Sequence, residues 1–598
     1  MNQFSKKASL WGRFILWRYK NITGKQFLYI LSIFIGFISG IGSIILKWFV
    51  HLTTSVLDSD AIESYHKFYF FIFPLIGLFI VYIIKQKIFR KEMDFEVPVM
   101  LYSLARRKGI MKKYHTYTAL ILAPITISFG GSVGLEAPAT ITSSALSSNI
   151  AQWLRMDIKN RKLLLVCGAA ASLSAIFKAP IAAIVFAIEV FSLDLTLASL
   201  MPLLLSSISA ILTRLIFTGE ESFLIHFNLV EDFQLNQILF YSGLGVFTAF
   251  ISLYFTQVYF KSKQLFGMIN SPLRKVIIGG IIIGILIYII PPLYGEGYHL
   301  INNLINNKKP ELTSFQSFQS TMSLSDWGFI AVLFLLILIK PIATSSTLHS
   351  GGVGGIFGPT LFLGASAGNF FAHFFNKIGY NLSVSNFTLL GMCGLMAGVL
   401  HAPLTAIFLI AEITGGYELF IPLMLVSAIS FGITRYYISY SVYTKELAEQ
   451  GDLITHNKDQ AVLTTLNIHN VIENNFIPIR PEMTLGEMLK NGVAHSNRNI
   501  FPVIDDQQQF LGIILLDDIR HVMFDQSMYD TVNVQTFMHE APEVIFLGED
   551  SMEDIMKKFE QSKAWNLPVV KENIYAGFIS RSKLLTAYRE HLVNNFDS

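Results

Sequence analysis

Ile176-Phe177-Lys178-Ala179-Pro180-Ile181-Ala182-Ala183-Ile184 returns later in the chain as Val399-Leu400-His401-Ala402-Pro403-Leu404-Thr405-Ala406-Ile407. In each copy a glutamate follows the proline by nine residues, Glu189 and Glu412. Upstream, Gly134-Leu135-Glu136-Ala137-Pro138 parallels Gly355-Ile356-Phe357-Gly358-Pro359, and the proline-to-proline gaps are 42 and 44 residues. A single shared Ala-Pro pair would mean little, but two motifs in register specify two homologous halves. Halves with helices broken by glycine at matching positions point to a transporter whose site lies between the repeats.

The composition around these motifs agrees. Hydrophobic residues make up 52% of the 598 and charged ones 15%, against about 25% charged in an ordinary soluble protein. Residues 451–598 hold 33 of the charges and the first 450 hold only 54. A body so poor in charge cannot cover its surface in water, so the chain reads as a membrane body followed by a soluble tail. Residues 1–25 carry Lys6, Lys7, Arg13, Arg18, Lys20 and Lys25 without an acid, and Gln26 to Leu46 then runs 21 residues without a charge. That is long enough to span a bilayer as an uncleaved helix, with the basic N-terminus on the cytoplasmic side. Further uncharged runs lie at 68–84, 195–213, 233–260, 276–295, 341–376 and 378–411. A net charge of +3 gives no ground for nucleic-acid binding, and Cys167 and Cys393 both sit in apolar segments. Neither a disulfide scaffold nor a thiolate metal cage fits two such residues.

A glycine-rich turn that opens a helix leaves backbone N–H groups free with the positive end of the helix dipole behind them. Such a start is an anion site without a fixed cation. The helix-opening glycines are Gly131 and Gly134 in one half and Gly354 and Gly355 in the other; the competing use of these glycines is close helix packing. Glu136 lies inside the first start, where an ionised carboxylate competes with a transported anion and a protonated one does not. An intramembrane carboxylate is a functional candidate by default.

On these residues the chain resembles the CLC family of chloride channels and proton/chloride exchangers. Gly131-Ser132-Val133-Gly134-Leu135-Glu136-Ala137-Pro138 and Gly354-Gly355-Ile356-Phe357-Gly358-Pro359 look like its signature segments, and Lys340-Pro341-Ile342-Ala343-Thr344 fits ahead of the second. The resemblance implies an all-α polytopic membrane body of two inverted repeats with broken helices, and a homodimer with one ion path per subunit. It places the gating glutamate at Glu136, the central anion at the N–H groups of Ile356 and Phe357, and its hydroxyl donor at Tyr443. Read by itself, Tyr443 would be an interfacial aromatic. Two departures stand out. The family's first anion-binding segment, glycine-serine-glycine before an aliphatic residue and proline, is here Asp94-Phe95-Glu96-Val97-Pro98, so the ring of Phe95 replaces the serine hydroxyl. Asp94 and Glu96 must then point away from the ion or be paired. Val190, directly after Glu189, stands where exchangers often carry an inner proton-relay glutamate.

After Glu446 the pattern becomes α/β. Phe501-Pro502-Val503-Ile504 and Phe510-Leu511-Gly512-Ile513-Ile514-Leu515 read as two strands before a helix, and Leu567-Pro568-Val569-Val570 with Tyr575-Ala576-Gly577-Phe578-Ile579-Ser580 repeats the plan. This pair resembles tandem CBS domains. For adenine-nucleotide binding the first copy offers Leu515 and Asp518 and the second Ser580 and Lys583, each half of the expected set; a regulatory scaffold without ligand is the alternative.

The domain expectation is therefore a cytoplasmic segment 1–25, a transport domain 26–448 with halves about 26–216 and 233–448, and CBS domains at 466–530 and 531–592, the termini lying on the cytoplasmic side of the cell membrane. The functional expectation is chloride transport across a lipid membrane with protons as the coupled partner. A passive gated channel is the alternative that Val190 favours. A divalent-cation transporter using Glu189 and Glu412 as ligands is an alternative of another class. No catalytic triad, metal-ligand spacing or phosphate loop suggests an enzyme, a resident cofactor or a metal.

Overall fold

The computed structural model describes residues 17–18, 20–57, 66–89, 96–192, 196–219, 234–307, 326–449, 466 and 468–592. The chain divides into two compact units, residues 1–450 and 451–598. In the first, eight helices among the described residues are long and apolar enough to cross a membrane. The expected first span is the front of a longer helix, Gly24–Leu57; Lys47 ends the uncharged run without ending the helix, because one lysine costs hydropathy and not helix propensity.

The repeated Ala-Pro motif is a helix–corner–helix unit. Ile158–Phe177 ends at Lys178 in the left-handed region (φ 58°), and Pro180–Phe191 follows. Val384–Leu400 ends at His401 (φ 55°), and Pro403–Ile413 follows. In both, proline opens the second helix, where its missing N–H costs nothing. The two units brace each other. Glu189 accepts hydrogen bonds from the N–H groups of Leu404 (2.9 Å) and Thr405 (2.8 Å), while Glu412 accepts from those of Ile181 (2.9 Å) and Ala182 (2.8 Å). Each half thus caps a helix of the other with a carboxylate at the positive end of its dipole. Gly134 and Gly355 likewise exchange N–H···O bonds of 2.9 Å in both directions. Reciprocal contacts between equivalent positions place a local two-fold between the halves, as inverted repeats require.

Close approach of small residues packs the middle of the body. A Cβ on Gly368 would lie 1.9 Å from the Phe387 carbonyl oxygen, so Phe357–Ile378 and Val384–Leu400 touch backbone to backbone. That is how helices associate where hydrocarbon offers no hydrophobic drive between them. Cys167 and Cys393 are fully buried and unpaired. Large side chains such as Phe34, Trp48 and Phe250 point outward, where lipid receives them.

The C-terminal unit holds two small sheets. Ile500–Ile504 and Phe510–Leu515 form an antiparallel pair, and Asn566–Lys571 and Ile574–Ser580 form its counterpart. Each sheet also borrows from elsewhere in the tail. Ile472 and Glu473 pair with Ile579 and Phe578, while Ile513 bridges His539. Val471 is buried in the core of the second copy with Ile545, Ile555, Phe559 and Val569. The two copies therefore exchange their leading segments.

Candidate functional site

Two helix starts meet where the halves touch. Glu136–Trp153 and Phe357–Ile378 each carry proline at the third helical position, and the N–H groups ahead of it lie in the first turn, where no helical acceptor exists. A Cβ on Gly134 would lie 2.0 Å from a Glu136 carboxylate oxygen, and one on Gly355 would lie 2.6 Å from the Ala137 Cβ. Gly131 and Gly354 are equally crowded, against Thr126 and Val133. None of these four has a positive φ. Their absent side chains thus bring the two starts together, so close packing and the site are one arrangement.

Glu136 is 1% exposed. Its Oε2 accepts from the N–H of Gly358 in the other half (3.3 Å), and its Oε1 accepts a short hydrogen bond from the Tyr298 hydroxyl. The carboxylate of one half therefore lies at the helix start of the other, in a position that suits an anion. Beside it, the N–H groups of Ile356 and Phe357 have no hydrogen-bond acceptor among the described residues. Both residues are buried, and the Phe357 ring packs against Phe177 and Phe186, with centroids 5.3 and 6.1 Å away. Tyr443 is 4% exposed, so it is a buried residue and not an interfacial one. Phe95 and Asp94 lie outside the described residues. Glu96 accepts from the Tyr259 hydroxyl at 2.6 Å, so it is paired.

Sequence reasoning missed the second ring of this site. The turn before Tyr298–Ile305 lies along the gate motif: Ser132 Oγ donates to the Leu293 carbonyl (2.7 Å), and Glu296 accepts from the Leu135 N–H (3.1 Å). Lys340, fully buried, donates to Ser132 Oγ at 2.8 Å and stands 4.3 Å from the Phe362 ring centroid. Glu296 and Lys340 were visible as the charges that bound the 276–295 and 341–376 runs. Tyr298 had no such signal.

A cavity of about 720 Å³ opens near Glu446, where the chain leaves the membrane body, and it reaches Glu96 and Gly354. Among the described residues Lys85, Arg107, Lys112, Lys263 and Lys275 line it, against two carboxylates, Glu96 and Glu446. Such a mouth concentrates anions.

The pairing of Glu189 and Glu412 with helix N–H groups leaves the metal alternative without its ligands. Among the described residues no group of three or more His, Cys, Asp or Glu side chains converges on a metal position. In the tail, Asp518 accepts from the Leu515 N–H (3.0 Å) and lies 3.2 Å from His539 Nε2, while Ser580 accepts from the Lys583 N–H (3.2 Å). Both close their own turns, and no hydrogen bond joins them.

Residues 76–435 match the model of the voltage gated chloride channel family, and residues 468–525 and 534–590 match the CBS domain. A putative chloride channel protein, ClcB-like, of Ralstonia nicotianae is 30% identical over 359 residues, covering 58% of this chain and 79% of that one. A voltage-gated ClC-type chloride channel, ClcB, of Citrobacter koseri is 28% identical, with 54% and 74% covered. Among solved structures, a slow cyanobacterial Cl−/H+ antiporter superposes with TM-score 0.60 at 20% identity, over 72% of this chain and 99% of that one. A eukaryotic CLC transporter gives 0.58 at 15% identity over 93% and 97%. The glycine-opened starts, the two-fold body and the paired tail thus belong together: the chain is a member of the voltage gated chloride channel (CLC) family, a membrane protein with two CBS domains after its transport body.

Proposed function

We propose that the protein exchanges chloride for protons across a membrane, with Glu136 as the gate. One observation carries this reading: the Glu136 carboxylate of the first half accepts the Gly358 N–H at the helix start of the second. Ionised, it holds the position a chloride would take; protonated, it loses the charge that suits that position and yields it. Ile356, Phe357 and the Tyr443 hydroxyl would then surround the chloride. The names of similar proteins divide between channel and antiporter, so the site chemistry has to decide. Val190, buried and unable to hold a proton, favours the second reading, a passive channel that Glu136 gates.

The deciding experiment imposes a chloride gradient on proteoliposomes holding the full chain and follows protons. Uphill proton movement that disappears in Glu136→Gln supports exchange. Chloride flow with no proton movement in the wild type refutes exchange and leaves the channel.

The working unit in this reading is a homodimer in the cell membrane, with both termini cytoplasmic. Ile181 and Leu404 on the paired Ala-Pro helices, with Ile208 and Ile421 on the helices that follow them, are exposed and apolar. Cross-linking in mild detergent that yields only monomers would count against the dimer. The CBS pair is taken as a regulatory unit, and an adenine nucleotide there would have to compete with the local bonds of Asp518 and Ser580.

A further inference from the structure

Exchange needs a proton to reach Glu136 from the face where the chain leaves the membrane body. The carboxylate looked for beside Glu189 is Val190, an apolar side chain that is 5% exposed. Glu189 itself is committed, with both oxygens accepting from Leu404 and Thr405. The described residues offer another carboxylate on that face.

We infer that Glu96, on the wall of the 720 Å³ cavity, is the residue that takes up protons from this side and supplies them to the gate. This rests on the exchange reading above and names its missing station. Glu96 stands at the start of Val97–Ala105, where Pro98 fixes the helix start, so its position is set by the backbone. Its Oε2 accepts from Tyr259 at 2.6 Å, which holds the side chain in one orientation. The cavity brings water to it. The same cavity reaches Gly354, whose neighbour Gly355 exchanges hydrogen bonds with Gly134, two residues before Glu136.

The neighbours fit a group that changes charge. Ile238–Gly267 supplies Tyr259 and Lys263, and Asp326–His349 supplies His349, whose ring centroid lies 4.7 Å from that of Tyr259. Lys275 faces the cavity from Pro272–Ile289, Lys85 from Ile84–Phe89, and Arg107 from just beyond the end of Glu96's own helix. Tyr82, Tyr102, Lys112, Tyr114 and His115 are the other titratable groups on the wall among the described residues. Glu446, the other carboxylate on the wall among the described residues, is paired with Lys263. Cations around the cavity make an ionised Glu96 tolerable, and the water they attract carries its protons. In the step itself, hydronium in the cavity gives its proton to a Glu96 oxygen and becomes water. The neutral acid then gives that proton onward to Glu136 and returns to carboxylate. While Glu96 is neutral it no longer repels chloride at the inner end of the path, so proton entry and anion passage favour each other.

The test measures proton and chloride movement together in proteoliposomes holding the full-length protein under a chloride gradient. In Glu96→Gln chloride should still flow while proton movement is lost, and Glu96→Asp should retain it. A wild-type proton-to-chloride ratio in Glu96→Gln overturns this role and leaves exchange at Glu136 standing. Chloride flow without protons in the wild type overturns exchange and this role with it. If Glu96→Gln does not fold, Tyr259→Phe keeps the ring and removes the hydroxyl that donates to the carboxylate. Its ratio should fall and its dependence on cavity-side pH should shift, and an unchanged ratio and profile overturns the role.

Discussion

Replacing Tyr298 by phenylalanine tests how the gate is held. The ring stays, packed against Phe177 at 6.4 Å between centroids, and only the hydroxyl that donates to Glu136 Oε1 is lost. Glu136 keeps the weaker Gly358 N–H bond at 3.3 Å. A hydrogen bond to a charged group is worth about 1.5–3 kcal/mol. Each 1.4 kcal/mol is a factor of ten, so the carboxylate should hold the anion position about 10- to 100-fold less strongly. Chloride competes for that position, and the chloride concentration giving half-maximal flux should fall by up to that factor. The assay is flux against chloride concentration in proteoliposomes, for Tyr298→Phe alone and in a Glu136→Gln background. In the second background the hydroxyl has no carboxylate to hold, and its removal should change little. An unchanged half-saturating concentration in the single variant would refute the competition argument. The same shift in both backgrounds would show that Tyr298 acts on packing and not on the gate.

Tyr443→Phe should weaken chloride binding by about 1.5 kcal/mol or slightly more, since the lost donor faces an ion; unchanged affinity by calorimetry would remove Tyr443 from the site. Glu189→Ala leaves two helix N–H groups unsatisfied and should cost about 2–4 kcal/mol, read as a lowered Tm in detergent. Glu412→Ala should behave alike, and manganese should not raise the wild-type Tm, as a metal site would. Val471→Ala removes two buried methyl-sized groups and should cost about 1–3 kcal/mol. Limited proteolysis should then cut within 545–584, the copy whose core Val471 fills, and cutting confined to 479–522 would contradict the strand exchange.

The parts legible in the sequence are those written twice or written locally. The Ala-Pro repeat announced the corners at Lys178 and His401, and the glycine-proline starts announced the meeting of the halves. Glu136 was legible because a charge inside a glycine-opened apolar helix start is hard to explain otherwise. Glu296 and Lys340 were half legible: each charge stands out at the edge of an uncharged run, but nothing local says that one reaches Leu135 and the other Ser132. Those contacts join segments more than 150 residues apart, and only the fold supplies them. Tyr298 was invisible, and Tyr443 was legible only through the family resemblance, for a further reason. A tyrosine in a membrane protein has the interface as its ordinary place, and composition cannot tell a buried hydroxyl from a belt residue. The strand at Ile472–Glu473 is two residues long, too short to show any alternation.

The symmetry also explains why the site is built from unlike parts. Both halves supply the same scaffold, a glycine-opened helix start and an Ala-Pro corner capped by the other half's glutamate. At the equivalent of Glu136 the second half carries Phe357, so only one side of the two-fold can be charged. Two carboxylates facing each other across the Gly134–Gly355 contact would repel, and two bare N–H clusters would bind an anion with nothing to displace it. One carboxylate against one N–H cluster gives a position that can be filled either from the protein or from solution. Exchanging Glu136 with its equivalent, in a Glu136→Phe, Phe357→Glu double variant, tests this directly. The scaffold should fold with similar Tm, because each helix start keeps its glycines and proline. The gate would then enter from the other side of the two-fold, against a turn that lacks the Tyr298 donor, and chloride dependence should differ from wild type. Wild-type gating from the exchanged protein would mean that the scaffold alone sets the gate, and that the asymmetry at 136 and 357 is without consequence.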